Sequence, residues 1–325
     1  MTIQADNRKC LVLLSGRAFP ELAEEIATEL NTLVTQTTAH EFASGEIYVR
    51  FQDSVRGSDA FVVQSMTTPL NQWLMEALLM VDALKRGSAK RVTVVLPFYP
   101  YARQDKKHRG REPISARLVA DLFRCAGANR ILTVDLHTAQ IQGFFDGPVD
   151  HLFALSLLSD HVKARYADRE LTVVAPDSGR VRVAERWADV LGGTPLAFIH
   201  KTRDPLVPNQ VVANRVVGAV TDRTCILVDD MIDTGSTICK AAEALLAAGA
   251  TEVIVAATHG VLSDPATERL KNSRISEIIL TNTLPIPPEK RLDKLTVLSI
   301  APLVARAIRE VFADGSVTSL FGGEG

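Results

Sequence analysis

The stretch CILVDDMIDTGST, residues 225–237, places two adjacent carboxylates and a hydroxyl-rich turn between an apolar run and an amphipathic helix. Its apolar run, Ile226, Leu227 and Val228, predicts a buried strand. Beyond the turn, apolar residues recur from Ile238 to Leu246 at the spacing of one helix face. The stretch therefore predicts the strand, turn and helix unit of an α/β protein.

The turn of this stretch is suited to a phosphate group. A helix N-terminus carries unpaired N–H donors and the positive end of the helix dipole, and both favour an anion. The donors would come from consecutive residues, Thr234, Gly235, Ser236 and Thr237. Asp229 and Asp230 would repel that phosphate, so we interpret them as acceptors for ribose hydroxyls, or as ligands of a metal that bridges to a second phosphate group. The simpler alternative is an acidic turn with a threonine N-cap.

Short runs rich in Val, Ile and Leu alternate with helical patterns along most of the chain. Runs without polar alternation are typical of strands covered on both faces, and hence of parallel sheets. Helices are predicted at residues 74–86 and 115–125. The predicted strands are residues 10–14, 91–96, 131–134, 171–175, 225–228 and 253–257.

Two segments resemble each other at a distance that suits a duplicated domain. Residues 126–137 read AGANRILTVDLH and residues 248–259 read AGATEVIVAATH, each after an amphipathic helix. Chance similarity between two helix, glycine and strand units is the alternative. In the first copy the place of Asp-Asp-DTG is taken by the basic HRGREPIS, so the two halves are expected to do different jobs. We place the domains at residues 1–150 and 151–325, with the last residues packing back on the N-terminal domain.

Composition restricts the class of protein and its surroundings. The chain has 325 residues, a net charge of −2 and 46% hydrophobic residues, which indicates a globular protein without bulk nucleic-acid binding. Its four cysteines show no CxxC spacing, and three sit inside or beside apolar runs, which favours small buried thiols in a reducing compartment. No signal-peptide core or membrane span is found in the sequence. We therefore expect a cytoplasmic protein that does not bind a membrane.

A basic loop follows the predicted strand at residues 91–96. A loop that leaves the end of a parallel strand is where α/β proteins keep ligands. Its charge suits a polyphosphate, although a solvated loop or an RNA patch with Tyr99 and Tyr101 remains open. The sugar-phosphate turn elsewhere in the chain favours phosphate. The loop, PFYPYARQDKKHRGREP, contains the cations Arg103, Lys106, Lys107, Arg109 and Arg111.

Metal ligands are expected at two strand ends. Asp135 and His137 close the run VDLH, and alternation along a strand would point both to one face, where they could bind a divalent metal or its water shell. A core histidine satisfied by the backbone is the alternative for His137. Asp177, in VVAPDSGR, is a further candidate because it follows another predicted strand.

The stretch IHKTRDPLVPNQ, residues 199–210, has no helical or strand pattern and holds Lys201 and Arg203. Such a segment is typical of a lid that closes over phosphates, since closing excludes water and strengthens each contact between charges. It is equally typical of an ordinary surface loop.

Together these segments resemble the ribose-phosphate pyrophosphokinase family over almost the full chain. The resemblance implies two tandem phosphoribosyltransferase-like domains, each an α/β domain with a mainly parallel sheet flanked by helices. The stretch FASGE and the loop near residue 201 belong to the match. The matching stretches are residues 42–46, 101–116, 134–151, 173–180, 201–203, 228–237 and 316–321.

The resemblance implies that ribose 5-phosphate and ATP give 5-phosphoribosyl 1-diphosphate and AMP, with Mg2+ as cofactor. Such chemistry asks the protein mainly for alignment and charge neutralisation. By position, Lys201 and Arg203 would be catalytic, and the metal would be held by His137 and Asp177, with Asp135 as a third candidate. ATP would be bound by Phe42, Ser44, Gly45, Glu46, Arg103 and Gln104. Ribose 5-phosphate would be bound by Arg203, Asp229, Asp233, Thr234, Gly235, Ser236 and Thr237.

The resemblance also implies a homo-oligomer, a hexamer in the common bacterial class, in which Phe42 stacks on the adenine bound by a neighbouring subunit. Phosphate and ADP would be effectors. The regulatory anion site would involve Ser54, Arg56, Arg111, Ser316 and Thr318.

Three residues depart from the family pattern. Ser44 replaces an aspartate near the adenine amino group, and Ser236 replaces a usual glycine, which narrows backbone freedom. Arg180 stands where a second glycine is common, so a more cationic metal or ribose side is expected. Two alternative functions are a non-catalytic regulatory homologue, which would have lost the chemistry, and a phosphoribosyltransferase, which would not need the basic loop or the paired halves.

Overall fold

The computed structural model describes residues 9–203 and 211–321, and at residues 201–203 and 211–214 it describes the backbone alone. By their internal contacts these residues form two compact units. The first unit contains the residues up to Phe153 together with those from Ala301 onward, and the second unit is Ala154–Ile300.

The first unit is built on a parallel sheet of order β2-β1-β5-β6-β7-β8. Strands of apolar residues lie at its centre, and Val62, Val94 and Leu132 are fully buried there. Strands β3 and β4 form a separate antiparallel hairpin. The elements, labelled in chain order, are β1 Leu11–Ser15, α1 Pro20–Leu30, β2 Val34–Thr35, β3 Thr37–Glu41, β4 Ile47–Phe51, β5 Asp59–Val63, α2 Leu70–Arg86, β6 Arg91–Leu96, α3 Ser115–Ala126, β7 Arg130–Val134, a 310 helix at Ala139–Phe144 and β8 Val149–Leu152.

The second unit has a seven-stranded sheet of order β11-β10-β9-β12-β13-β14-β15. Its strands pair in parallel except for β10 and β11, which pair antiparallel. Strand β12 is central and lies between β9 and β13. The elements are α4 Leu155–Arg165, β9 Leu171–Ala175, a 310 helix at Ser178–Arg180, α5 Val181–Val190, β10 Leu196–Arg203, β11 Val211–Val217, β12 Thr224–Ile232, α6 Ser236–Ala247, β13 Glu252–Gly260, α7 Ala266–Asn272, β14 Glu277–Thr281, a 310 helix at Pro288–Lys290 and β15 Leu295–Leu298.

The last helix, α8 Ala301–Phe312, returns the chain to the first unit. It packs on α1, and Arg309 donates a hydrogen bond to the carbonyl oxygen of Glu29 at 2.9 Å. The apolar side of α8 is buried, with Val304 and Ile308 fully covered. A 310 helix follows at Val317–Phe321.

The fold class predicted from the sequence is confirmed: mainly parallel sheets lie among helices in both units. Strands β6 and β9 coincide with the predicted runs. Strand β12 is longer than predicted, because it continues through both aspartates to Ile232. The prediction of irregular structure after Ile199 is wrong, since β10 runs to Arg203 and pairs with β11, which the local pattern did not reveal.

The two similar segments have the same local structure. Gly127 follows α3 and precedes β7, and Gly249 follows α6 and precedes β13. Both glycines have positive φ, 119° and 97°, which a residue with a side chain rarely adopts. Duplication of a whole domain remains a prediction from the sequence.

The cysteines differ in their exposure to solvent. Cys225 is buried, but Cys10 and Cys125 are exposed, so the prediction of mostly buried thiols is wrong: Cys10 precedes β1 and Cys125 lies on the outer side of α3. Among the helices of the described ranges, none has both the length and the apolar character that a membrane crossing requires.

Candidate functional site

The acidic pair lies inside β12, close to its C-terminal end. Strand β12 pairs with β9 only from Thr224 to Leu227, whereas its pairing with β13 continues to Ile232. On the β9 side, Asp229 and Asp230 therefore lie beyond the paired residues. The chain leaves β9 at Ala175 and forms the 310 helix Ser178–Arg180 in this neighbourhood.

Arg180 binds both carboxylates. Its Nε lies 3.1 Å from Asp229 Oδ1, and its Nη2 lies 2.5 Å from Asp230 Oδ1. The backbone N–H of Asp230 also donates to Asp229 Oδ1 at 2.9 Å. Burial raises the pKa of Asp229 well above its usual value and the charge of Asp230 adds to this, while Arg180 opposes it. The guanidinium of Arg180 is thus paired with two carboxylates, and a more cationic metal or ribose side remains a prediction.

The phosphate-binding turn begins directly after β12. Gly235 has φ +71° and is the N-cap residue of α6, so a left-handed backbone places the first N–H groups of the helix. A glycine cannot cap these groups with a side chain, which leaves them for a ligand. Ser236 is the first residue of α6 and therefore has a helical backbone, which any residue can adopt. The glycine that is usual at this position in the family is not needed for its conformational freedom.

Arg269 supports the turn from α7. Its Nη1 donates to the carbonyl oxygen of Thr234 at 3.1 Å. The remaining predicted residues surround the same helix end: Asp233, Thr234 and Ser236 are half-buried, and Thr237 is exposed. The structure therefore places the acidic pair and the turn close together at one edge of the sheet, as predicted from their closeness in the sequence.

Asp177 stabilises the turn that carries Arg180. It is the N-cap of the 310 helix, and its Oδ1 accepts from the N–H of Gly179 at 3.0 Å. The side chain is half-buried. A carboxylate is an oxygen ligand of the kind that binds Mg2+ or its water shell.

Asp135 and His137 lie after β7, in the first unit. Strand alternation does not relate the two side chains, contrary to the prediction, because β7 ends at Val134 and Asp135 has φ +38°. His151 holds the segment in place, since its Nε2 accepts from the N–H of Leu136 at 2.9 Å. Both candidate ligands are half-buried. The described residues contain no group of three His, Cys, Asp or Glu side chains arranged for a metal.

The basic loop is anchored by a buried carboxylate. Asp105 is 5% exposed and accepts hydrogen bonds from Thr138 Oγ1 at 2.8 Å and Gln140 Nε2 at 2.5 Å. Gln104 accepts from Ser115 Oγ at 2.6 Å, and Arg103 is exposed. The position of Asp105 between polar residues of the chain segment after β7 became visible only with the fold.

The other predicted ATP ligands form the tip of the β3–β4 hairpin. Phe42 is 50% exposed and lies edge-on to His40, with ring centroids 5.0 Å apart. Ser44 Oγ donates to Glu46 Oε2 at 2.8 Å, and Gly45 takes the positive φ of the turn. The serine that replaces the expected aspartate is therefore oriented by its acidic neighbour.

Lys201 and Arg203 belong to β10, and the backbone of Lys201 is in register with Asn214 of β11. Their side chains lie outside the described residues, as does the rest of the predicted lid, residues 204–210.

The candidate regulatory residues are all exposed and belong to the first unit. Arg56 Nη1 lies 3.4 Å from Ser88 Oγ, and Ser316 and Thr318 share a hydrogen bond of 2.7 Å. Arg111 has φ +70°. Ser54 precedes Arg56 in the same loop. Their joint role at an anion site remains a prediction.

Sequence reasoning missed two partners of the sugar-phosphate turn, Arg180 and Arg269. Arg180 was noticed as an unusual cation, but its contact with the aspartates depends on β9 lying beside β12. Strands that are neighbours in a sheet and distant in sequence leave no local signal. Arg269 lies on a helix, and its neighbours in the sequence give no sign of its contact with the turn.

Known proteins match this chain along nearly its whole length. The family model for the N-terminal domain of ribose phosphate pyrophosphokinase matches residues 11–127, and the model for the phosphoribosyl synthetase-associated domain matches residues 197–322. The chain is 67% identical to the ribose-phosphate pyrophosphokinase of Mycobacterium tuberculosis, over 98% of each protein. It is 66% identical to that of Streptomyces coelicolor, again over 98% of each.

A solved structure agrees. The phosphoribosylpyrophosphate synthetase of Mycobacterium smegmatis superimposes with a TM-score of 0.91 at 65% identity, covering 94% of this chain and 100% of that one. Similarity of this extent, over both units and through the acidic pair and its turn, identifies an enzyme family and not the fold alone. The chain belongs to the ribose-phosphate pyrophosphokinase family.

Proposed function

We propose that this enzyme transfers the β,γ-diphosphoryl group of ATP to the anomeric hydroxyl of ribose 5-phosphate. The products are 5-phosphoribosyl 1-diphosphate and AMP, and the reaction feeds nucleotide biosynthesis. Membership of the family supports the overall reaction. We further propose that residues 1–150 form the ATP-side domain and residues 151–325 the ribose 5-phosphate side, with the last residues packing back on the ATP side, in keeping with the place of α8 in the first unit.

The observation that carries this proposal is the acidic pair beside an uncapped helix N-terminus. Gly235 opens the N-terminus of α6 toward an anion, and Asp229 and Asp230 precede it by a few residues on β12. The N–H groups at the start of α6 can bind a phosphate, and the carboxylates can accept hydrogen bonds from hydroxyls. Ribose 5-phosphate carries these two kinds of group at its two ends. The hydroxyls of Thr234, Ser236 and Thr237 add donors to the same phosphate.

On the ATP side we propose that the exposed Arg103 and the oriented Gln104 bind the nucleotide, with Phe42, Ser44, Gly45 and Glu46 at the adenine. Lys201 and Arg203 are proposed to stabilise charge on the transferred group, because phosphoryl transfer depends on positioning and charge neutralisation. Arg203 would also contact ribose 5-phosphate.

Mg2+ is the proposed cofactor. When bound, Mg2+ would supply positive charge that neutralises the transferred diphosphoryl group. Because Mg2+ retains several waters and binds proteins through one or two carboxylates plus substrate phosphates, a protein cluster of three ligands is not required. The half-buried Asp135 and His137 and the turn residue Asp177 fit such a sparse donor set.

We also propose a cytoplasmic homo-oligomer, a hexamer, with phosphate and ADP as effectors at a site involving Ser54, Arg56, Arg111, Ser316 and Thr318. The exposure of Phe42 at a hairpin tip supports a role toward a neighbouring subunit. The net charge of −2 supports small-molecule substrates in preference to nucleic acid.

One assay tests the reaction. The protein is incubated with ribose 5-phosphate, ATP, Mg2+ and inorganic phosphate, and AMP and 5-phosphoribosyl 1-diphosphate are measured together. We expect equal amounts of both, and no product when Mg2+ is chelated. Absence of AMP would refute the proposal. Consumption of added 5-phosphoribosyl 1-diphosphate with a free base, without ATP, would instead indicate a phosphoribosyltransferase.

A further inference from the structure

Arg180 lies between two carboxylates, in a place where a metal ion could otherwise bind. Its guanidinium lies 3.1 Å from Asp229 and 2.5 Å from Asp230, measured between the nearest nitrogen and oxygen atoms. The side chains are largely buried, with 16% of Arg180, 16% of Asp229 and 7% of Asp230 exposed. An ion pair of this burial is screened little by solvent, so its geometry is held firmly.

The backbone fixes where Arg180 comes from. Strand β9 stops before β12 does, and the chain turns through a 310 helix whose N-cap is Asp177. The hydrogen bond from Gly179 N–H to Asp177 closes that turn at 3.0 Å. Arg180 therefore reaches the unpaired side of β12 from the neighbouring strand, and its approach does not depend on a long flexible loop.

This contact bears on the two interpretations of the acidic pair. A divalent ion between the carboxylates would have to sit beside the guanidinium, and repulsion between cations is strong at partly buried sites. Ribose hydroxyls meet no such repulsion. A guanidinium only donates hydrogen bonds, whereas a carboxylate can accept several at once, so hydroxyl donors can bind the carboxylates beside Arg180.

Without a positive charge nearby, ionisation of both Asp229 and Asp230 would be unfavourable. Asp229 and Asp230 are adjacent, largely buried and of like charge, and burial together with Asp230 raises the pKa of Asp229. Arg180 contacts one carboxylate oxygen of each aspartate. Its planar fork suits two acceptors at once, which an ammonium group does less well.

We propose that Arg180 is a positioning residue that serves as the resident counter-cation of Asp229 and Asp230, keeping both as acceptors for sugar hydroxyls and excluding a divalent cation from between them. The identity of the sugar, ribose 5-phosphate, rests on the proposed function. The exclusion of the cation does not rest on it.

The first test counts metal ions. Arg180→Gln is compared with Arg182→Gln, which removes an exposed arginine two residues away. Each protein is titrated with Mn2+ without substrates, and free Mn2+ is followed by electron paramagnetic resonance. We expect Arg180→Gln to bind one more Mn2+ per chain than the wild type and Arg182→Gln to match the wild type. Equal stoichiometry in all three proteins would overturn the inference.

The second test measures the sugar. Calorimetric titration with ribose 5-phosphate in the absence of ATP should show binding weakened on the order of tenfold in Arg180→Gln, as expected for disturbed hydrogen bonds to charged groups. Arg182→Gln should bind normally. Unchanged affinity in Arg180→Gln, with a melting temperature close to the wild type, would contradict the positioning role.

Arg180→Lys separates charge from shape and serves if the glutamine variant does not fold. Its ammonium should still exclude the extra Mn2+, while ribose 5-phosphate binding recovers only in part because the fork is lost. Extra Mn2+ in Arg180→Lys, or full recovery of sugar binding, would overturn the inference. Should the wild type form no AMP, the proposed function fails, yet the Mn2+ count still decides whether Arg180 excludes a cation.

Discussion

Asp105 accepts a hydrogen bond of 2.5 Å from Gln140, which joins the basic loop to the segment that follows β7. The second donor to the same carboxylate is Thr138, at 2.8 Å. Asp105 is 5% exposed, so it acts as an internal anchor in a loop whose other charged residues mostly face solvent. The loop proposed to bind ATP is thus anchored through Asp105, while most of its cationic side chains are exposed to solvent.

We expect Asp105→Ala to release this loop. Removing the carboxylate breaks two hydrogen bonds to a charged group, which should cost about 1.5–3 kcal/mol of stability. Trypsin should then cleave faster at Lys106, Lys107 and Arg109, and KM for ATP should rise. Mass spectrometry of the fragments identifies the cut. Asp121→Asn, which alters an exposed acid on α3, is the control and should leave cleavage unchanged; equal cleavage rates in both variants would contradict the anchoring role.

Gly235→Ala should weaken ribose 5-phosphate binding by distorting the start of α6. A left-handed conformation costs a residue with a side chain roughly 1–2 kcal/mol, so the turn is expected to shift and to move its N–H donors. KM for ribose 5-phosphate should increase on the order of tenfold. Gly192→Ala provides a matched control, because Gly192 also has positive φ, 84°, and a Cβ there would meet open space. A similar loss of stability without a change in KM is expected for it. Equal KM values in the two variants would argue against the phosphate site.

Lys201→Ala should lower turnover far more than ATP binding, if its charge acts on the transferred group in the transition state. A reduction in kcat of about 100- to 1000-fold is expected for the loss of one such donor. Steady-state kinetics and a direct nucleotide-binding measurement give the two quantities. Lys163→Ala removes an exposed lysine from α4 and should be silent. Losses of equal size in turnover and binding would count against the assigned role.

Glu277 gives the second unit a stability that depends on pH. Burial opposes its ionisation, but hydrogen bonds from Thr296 and Tyr166, both at 2.6 Å, and the charge of Arg165 outweigh burial and lower the pKa of Glu277. Because the folded pKa lies below the unfolded one, this stabilisation is complete above the unfolded value of 4.5 and disappears as the pH falls through the folded pKa.

Glu277→Gln should therefore destabilise the protein by about 1–3 kcal/mol at pH 7, with a smaller effect in acid. Melting temperatures of the wild type and the variant at pH 7 and at decreasing pH below 4.5 measure the difference. Glu289→Gln changes an exposed acid and should shift neither curve. A difference between wild type and Glu277→Gln that stays constant down to the lowest pH would contradict this account.

Local sequence patterns predicted the strands and helices best where apolar residues dominate. The runs at β6 and β9 match the structure residue for residue. At β12 the prediction stopped at Val228, because aspartates are poor strand formers by propensity, whereas pairing with β13 extends the strand to Ile232. Tertiary pairing overrode the local preference.

The site was predictable where it is continuous in sequence. Asp229 and the turn at Gly235 belong to one motif, and local chemistry sufficed to interpret them. The contacts of Arg180 and Asp105 required knowledge of which strand ends are neighbours. Strand alternation failed to relate Asp135 to His137 for a different reason, since the positive φ of Asp135 interrupts the alternation.

The return of α8 to the first unit has a consequence for biosynthesis. Residues 11–152 contribute the whole sheet of that unit, yet the apolar face of α1 remains without α8 until Ala301–Phe312 have left the ribosome. A nascent chain folds in the order in which it emerges. Ala154–Ile300 can therefore become compact as an uninterrupted segment, while the unit that contains the N-terminus is completed last. Truncation before Ala301 would leave the apolar face of α1, in the part of the chain that is synthesised first, uncovered and prone to aggregation.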